Sequence, residues 1–367
     1  MQTKRIMLSG YYGFNNAGDE AILLSILQSI RSLDEHVEFI VLSGNPAKTA
    51  EQYGVHAISR TDVMEIWRCL KNVDLFISGG GSLLQDKTGT FTIPYYLGVV
   101  QLAQWAKVPV AIYAQGIGPV YRSLFQKWIK AVFKKAQYIS VRDPSSKKLL
   151  ESWKLPSEKI DQVIDPVFVL QSDESERVTE LLSKESITLK QKPIIFAIRH
   201  WSEGKDDILQ IAKVCDQLVQ DGEEVLLLPM HYPDDAEAAC DIMANMTQPV
   251  HLLQREYTPQ QLIDIVSSGK LMVGMRLHAL IFAAARHVPC IGISYDPKID
   301  AFMHLLEDQS TSVSGQISAD LLYAKIKDDL THYQQRQEQT ASIAKKLLEQ
   351  AKKPAREALK LIQQGSV

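Results

Sequence analysis

Short apolar, β-branched runs alternate along the chain with stretches whose apolar positions recur at helical spacing. This is the signature of an open parallel sheet flanked by helices. In the first half, strands are predicted at about 4–9, 37–43, 55–59, 74–78, 109–115, 138–142 and 160–164. Amphipathic helices are predicted between them, over Ala21–Leu33, Thr61–Asn72, Tyr95–Lys107 and Arg122–Ala136. Asp143 before Pro144 reads as an N-cap followed by a first-turn proline, so another helix begins there. A polar stretch without a strand signal, Ser172 to Lys192, is expected to hold one helix and to mark a domain joint. The alternation then restarts, with strands near 194–199, 224–229, 250–253, 271–274 and 289–294. Helices are predicted near 206–220, 234–246, 259–268 and 278–286, and a charge-rich helical tail from Leu321 to Gln364. Pro354 should kink or restart that tail.

The predicted fold class is α/β. Two Rossmann-like doubly wound domains follow one another with a cleft between them, a glycosyltransferase-B-like layout, and a C-terminal helical tail completes the chain. The expected boundaries are 1–171 for the first domain, 172–192 for the joint, 193–320 for the second domain and 321–367 for the tail.

At 367 residues the chain exceeds what one core usually carries, which agrees with two domains. A formal net charge of −3 argues against a dedicated nucleic-acid binder, so no nucleic-acid partner is expected. Cys69, Cys215, Cys240 and Cys290 are widely spaced and form no CxxC pair, which suits thiols in a reducing cytosol better than disulfides or zinc. The first apolar stretch breaks at Gly10, too short for a signal sequence, and no apolar run approaches the ~18–20 residues that cross a bilayer. A cytoplasmic protein is expected. The basic stretch KKLLEQAKKPAREALKL is read as a helix packed on the body with a solvated lysine face, and otherwise as a peripheral contact at the inner face of the membrane.

Candidate chemistry gathers at strand ends, where ligands bind in doubly wound sheets. The first βα turn, GYYGFNNAGDEAIL, has its glycines spaced wrongly for GxGxxG and lacks the Gly-Lys-Ser/Thr of a P-loop. It carries Asn15, Asn16 and Asp19, whose amide and carboxylate groups suit sugar hydroxyls; turn chemistry with a helix cap is the plainer reading. The glycines of GGGSLLQDKTG, which also holds Asp86, and of Gln115-Gly116-Ile117-Gly118 suggest a cleft floor open to close backbone approach. Arg142 ends the strand YISVRD, where its fork could grip a carboxylate or phosphate. In KLMVGMRLHALIFAAARH, Arg276 and His278 stand at a strand-to-helix turn ahead of an almost wholly apolar helix, so the helix dipole favours an anion there. Lys298, Arg199 and His231 lie past neighbouring strand ends and complete an anion pocket with a candidate proton donor. No HExxH, zinc-spaced cysteine set or Asp-x-Asp pair is present, so no catalytic metal or cofactor is expected.

Together GYYGFNNAGDEAIL, SGGGSLLQD, VRDPSS, GMRLHALIFA and SYDPKI, spread from residue 8 to about 300, resemble the polysaccharide pyruvyl transferase family. The resemblance is closest to the bacterial branch that pyruvylates N-acetylmannosamine in secondary cell-wall polymers, the anchors of surface-layer proteins. It implies phosphoenolpyruvate as donor, a sugar acceptor that is free or lipid-linked, and a pyruvate ketal formed across two hydroxyls with release of phosphate. Arg142, Arg276 and His278 match the family's functional arginines and histidine, and Lys298 its later basic residue. Asn15, Asn16, Asp19 and Asp86 would face the acceptor. Ketal formation needs a proton on the donor's methylene carbon, and His278 is the candidate general acid. A nucleotide-sugar glycosyltransferase or epimerase, and a non-catalytic sugar- or phosphate-binding protein, are the alternative readings of the same fold.

Overall fold

The computed structural model describes residues 3–86, 89, 91–171, 175–201 and 206–364. The chain divides into two compact units, one running to Val169 and resuming at Leu347, the other spanning Leu170–Lys346.

In the first unit the strands are β1 (Arg5–Tyr12), β2 (Glu38–Ser43), β3 (His56–Ser59), β4 (Leu75–Ser78), β5 (Gly81–Leu84), β6 (Val110–Ile117), β7 (Tyr138–Val141) and β8 (Asp161–Gln162). They pair in the order β3-β2-β1-β4-β6-β7-β8, with β5 beside β6, and every pairing is parallel. The interleaved helices are α1 (Ala17–Arg31), α2 (Pro46–Tyr53), α3 (Val63–Leu70), α4 (Thr92–Trp105), α5 (Ser123–Phe133) and α6 (Pro144–Ser152). Both faces of the sheet are covered, so β4 and β6 are buried along their whole length. Phe76, Leu97, Ile112, Ile129 and Phe133 lie in one apolar cluster on this sheet.

The second unit contains α7 (Ser175–Ser183), β9 (Ile194–Ala197), α8 (Asp207–Gln220), β10 (Val225–Leu227), α9 (Asp234–Ala244), β11 (His251–Leu252), α10 (Pro259–Ser267) and β12 (Leu271–Gly274). It continues with α11 (Leu277–Ala285), β13 (Cys290–Ser294), α12 (Pro297–Leu305), β14 (Ser312–Val313), α13 (Ala319–Thr331) and α14 (Tyr333–Gln364), whose later turns belong to the first unit. Its strands run β11-β10-β9-β12-β13-β14, again all parallel. In both sheets the first strand lies between the second and the fourth, so the chain reverses its direction of travel across the sheet there. That reversal opens a crevice beyond the strand C-termini.

The expected pair of doubly wound α/β units with C-terminal helices is therefore present. Differences are local. Helix α1 begins four residues before the predicted Ala21, because Asn16 caps it and Asp19 and Glu20 complement the dipole in a first turn that has no apolar periodicity. Gly81–Leu84, read as part of a glycine loop, is the short strand β5. Helices α2 and α12 open on the same cap-then-proline signature as α6, at Asn45-Pro46 and Asp296-Pro297. Helix α14 runs on through Pro354, which is buried with Ala351, Ala355, Ala358 and Leu359 along the packed face. That burial offsets the usual cost of an interior proline. The lysine face is solvated as expected, and Lys353 reaches Asp161 at 2.8 Å. Among the described residues no helix is long and apolar enough to cross a membrane. The four cysteines are free thiols.

One glycine sets the crevice of the first sheet. Gly79 follows β4 and donates its N–H to the Ser9 carbonyl at 2.7 Å. A methyl group there would lie 2.1 Å from Oη of Tyr12, a side chain with no solvent exposure. Gly79→Ala should therefore overpack a fixed ring and cost about 1–3 kcal/mol in urea unfolding; an unchanged midpoint would contradict this packing.

Candidate functional site

The second unit brings its candidate residues to one sheet edge. Gly274 of β12 pairs in register with Ala197 of β9, so Arg276 and Arg199 each stand two residues beyond matched positions. Arg276 is the N-cap residue of α11, in extended backbone, and its carbonyl accepts the Ala279 and Leu280 N–H groups. His278 follows in the first turn of that helix, half-buried, while Ala279 through Ala284 are fully buried behind it. The helix can be apolar all round because β12, β13 and α10 surround it.

The Arg276 side chain is gripped by Asp235 of α9. Its Nε donates to Oδ2 at 2.9 Å and its Nη2 to Oδ1. The same Oδ2 accepts the backbone N–H groups of Met230 and His231, each at 3.1 Å. Four donors thus converge on a carboxylate with no exposure. A buried guanidinium needs such a partner, since an unpaired charge there would be very costly. Two of the three guanidinium nitrogens are thus committed to Asp235, and among the described residues Nη1 has no hydrogen-bond partner. His231 is part-exposed, with Nδ1 3.5 Å from Asp234. Lys298 sits in the first turn of α12, its N–H on the Asp296 cap at 3.0 Å and its Nζ 4.0 Å from that carboxylate. Arg199 is held differently: its guanidinium lies 5.3 Å from the ring centres of both Trp201 and Tyr295. Cation–π contacts orient it without neutralising it.

In the first unit, Arg142 ends β7 with its side chain almost wholly buried, its Nη1 on Asp165 and its Nη2 donating to the Ser82 hydroxyl at 3.0 Å. Gly116 makes room for it, since a methyl there would lie 3.1 Å from Nε. Of the residues assigned to the acceptor, several serve the fold. Asn16 caps α1 through the N–H groups of Gly18 and Asp19. Both oxygens of Asp86 are taken by the Tyr121 and Arg122 N–H groups, at 2.8 and 3.0 Å, which fastens the entry to α5. Asn15, in left-handed backbone, accepts from Lys48 at 2.9 Å. Asp19 is different. It keeps some exposed surface, yet protein encloses it closely enough that desolvation pushes its carboxyl up to about 7. Nearby Arg142 opposes that rise, while Glu20 and Asp165 add to it. Beside it stands Tyr12, whose buried hydroxyl has no partner among the described residues; burial, with Asp19 adding to it, holds this phenol well above its ordinary range.

Sequence reading missed Asp165, Asp235 and Tyr12. Asp165 was legible in principle, for Asp165-Pro166 repeats the cap-then-proline pattern and its Oδ1 accepts the Val167 N–H at 3.1 Å. Nothing in the sequence separates Asp235 from the adjacent Asp234; only the fold turns one inward.

Two all-parallel α/β units of this topology define a fold of the glycosyltransferase-B type. The fold is shared with UDP-GlcNAc 2-epimerase from Neisseria meningitidis, solved bound to UDP-GlcNAc (14% identity, 97% of this chain and 100% of that one, TM-score 0.62). It is shared too with a glycosyltransferase from Rickettsia africae (13% identity, 100% and 97% covered, TM-score 0.58). The polysaccharide pyruvyl transferase family model matches residues 16–297. The chain also resembles the amylovoran biosynthesis protein AmsJ of Erwinia amylovora, at 21% identity over 74% of this chain and 69% of that protein. The chain belongs to the polysaccharide pyruvyl transferase family and is a pyruvyltransferase.

Two stability predictions follow from these charges. Asp235→Ala strands Arg276 and two backbone donors, so urea unfolding should show a loss of about 3–5 kcal/mol; a loss below about 1 kcal/mol would mean that the pair does not hold the turn. Asp19 behaves oppositely. Its folded pKa of about 7 exceeds the ordinary carboxyl value, so the folded state is favoured below about 4 and loses that contribution as pH rises through 7. Asp19→Asn should therefore raise Tm over wild type by a few degrees at pH 8, with the gain vanishing near pH 4. A gain that is equal at both pH values would rule out the raised carboxyl.

Proposed function

We propose that the chain transfers pyruvate from phosphoenolpyruvate to a sugar, forming a ketal across two hydroxyls and releasing phosphate. The acceptor proposed is N-acetylmannosamine in a secondary cell-wall polysaccharide precursor, free or lipid-linked. The observation that carries the reading is the Arg276–His278 turn on a rigid apolar helix within the family's matched span. Phosphoenolpyruvate presents a carboxylate and a phosphate, which call for several cations. Arg199, held by aromatic faces, and the Nη1 edge of Arg276 suit them, with Lys298 and His231 at the same edge. His278 supplies the proton to the methylene carbon, which makes C2 electrophilic toward a sugar hydroxyl. Arg142, locked by Asp165 and Ser82, is the candidate anion-facing arginine of the first unit. No metal or cofactor is required for this chemistry. The setting proposed is the cytoplasm, where four free cysteines stay reduced.

The test is phosphate release from phosphoenolpyruvate across a panel of sugar acceptors. Release should depend on an acceptor containing N-acetylmannosamine, and no uridine nucleotide sugar should replace phosphoenolpyruvate. His278→Gln should fold normally, bind the donor and lose at least ~10²-fold in turnover. A His278→Gln enzyme with most of its kcat intact would move the acid elsewhere, and an acceptor-independent wild type would refute the transfer itself.

A further inference from the structure

The candidate residues above stand at the C-terminal ends of the strands. The opposite edge of the first sheet has a chemistry of its own. We propose that it carries a binding site for a phosphomonoester, a dianion on a carbon body about the size of a nucleoside. The site lies wholly within the first unit and goes beyond the pyruvyl-transfer reading.

A groove of about 660 Å³ opens beneath the N-terminal ends of β1, β2 and β3. Arg5, Glu38 and His56, the first residues of those strands, line it, with Arg31 of α1 and Arg68 and Cys69 of α3. Its size falls among small-molecule pockets, which run to roughly 300–1,000 Å³. Val37 and Val55 give it an apolar wall against which a carbon body can rest.

Charge decides which ligand fits. Among the described residues Glu38 is the one carboxylate in the lining, and it is taken up by Arg5, whose Nε donates to it at 2.9 Å. Asp74 accepts the Arg5 backbone N–H at 2.7 Å. The Arg31 guanidinium donates to the Tyr53 and Gly54 carbonyls at 3.1–3.3 Å and lies 5.5 Å from the centre of the Phe39 ring. These neutral partners fix it in place and leave its charge intact. Arg68 is exposed, and its guanidinium makes no hydrogen bond or ion pair among the described residues. Two guanidinium charges are therefore uncompensated, with His56 on the same lining. A phosphomonoester matches that surplus, for it carries about −1.5 to −2 near neutral pH and offers three acceptor oxygens to planar forks.

Helix dipoles account for a cation in the last turn of α1 and of α3, each taken singly. They do not account for the arrangement. Of the other helices that end along this edge, α2, α4 and α6 have no basic residue in their last turns, and α5 has Lys130 alone. The arginines are concentrated where the groove is.

Cys69 reports on the groove, since it lines it and is part-exposed. The full-length protein is alkylated with N-ethylmaleimide, and mass spectrometry separates Cys69 from the exposed Cys240 of the second unit. Uridine monophosphate or a hexose monophosphate should slow alkylation of Cys69 several-fold and saturably, with Cys240 unaffected; uridine should not. Each variant is compared with its own ligand-free rate. Arg68→Ala, at an exposed and unpaired residue, should keep the wild-type urea midpoint and raise the half-protecting concentration ~10-fold or more. Lys298→Ala, in the second unit, should leave that concentration unchanged, which separates this site from donor binding. The ring proton signals of His56 should move over the same concentration range. No protection by either monophosphate, equal protection by uridine, undiminished protection in Arg68→Ala, its loss in Lys298→Ala, or protection by phosphatidic acid vesicles alone would overturn the site. None of these outcomes bears on the transfer reaction, which phosphate release tests separately.

Discussion

A buried carboxylate holding an arginine at the end of a parallel strand is the interaction on which both units depend. Asp165 holds Arg142 in one, and Asp235 holds Arg276 in the other. The need for these pairs is a matter of solvation. A guanidinium drawn below the surface loses its water, and only a hydrogen-bonded counter-charge makes that tolerable. The geometry that results is rigid: Asp235 also gathers the Met230 and His231 amides, so one carboxylate fixes the β10–α9 turn and the start of the helix that carries His278. Each pair is close to neutral as a unit. An anion approaching such a pair would meet oriented N–H groups rather than bare charge, which favours shape and fork geometry over simple attraction.

The two sheets share a topology but place these pairs differently, Arg142 after β7, three strands from β1, and Arg276 after β12, beside β9. In each, the strand order reverses beside the first strand, and the crevice that results lies beyond the C-terminal ends. What lines the crevices differs. The second unit presents Arg199 beside the packed rings of Trp201 and Tyr295, with no ion pair among the described residues, together with the remaining edge of the Arg276 fork. The first presents an enclosed carboxylate at Asp19 beside a buried phenol at Tyr12. The lining of the second unit suits the polyanionic donor proposed above.

Much of this was legible in the residues. Alternation of apolar runs and helical spacing located most strands within a residue or two, because strands covered on both faces must be apolar throughout. Helix starts were readable wherever a cap precedes proline, as at Asp143-Pro144, and the same signature at Asn45, Asp165 and Asp296 shows how far it extends. Short elements with no apolar period escaped, β5 and the first turn of α1 among them. In the sites, residue type and position along the chain pointed to Arg142, Arg276 and His278. Partnership was not legible, since it arises between elements far apart in sequence: Asp235 lies 41 residues from Arg276, and Asp165 lies 23 from Arg142. For that reason Asn16 and Asp86, chemically sensible sugar ligands, turned out to serve backbone amides.

The central claim is that a pyruvate unit ends as a ketal on a sugar. Proton and carbon NMR of the product made from phosphoenolpyruvate labelled with carbon-13 at C2 reads this directly. The proposed reaction gives one methyl signal split only by the labelled carbon, which bears two sugar oxygens, with both acceptor hydroxyls consumed. Vinyl protons on a product bonded through a single oxygen, or label remaining wholly in phosphoenolpyruvate, would contradict it.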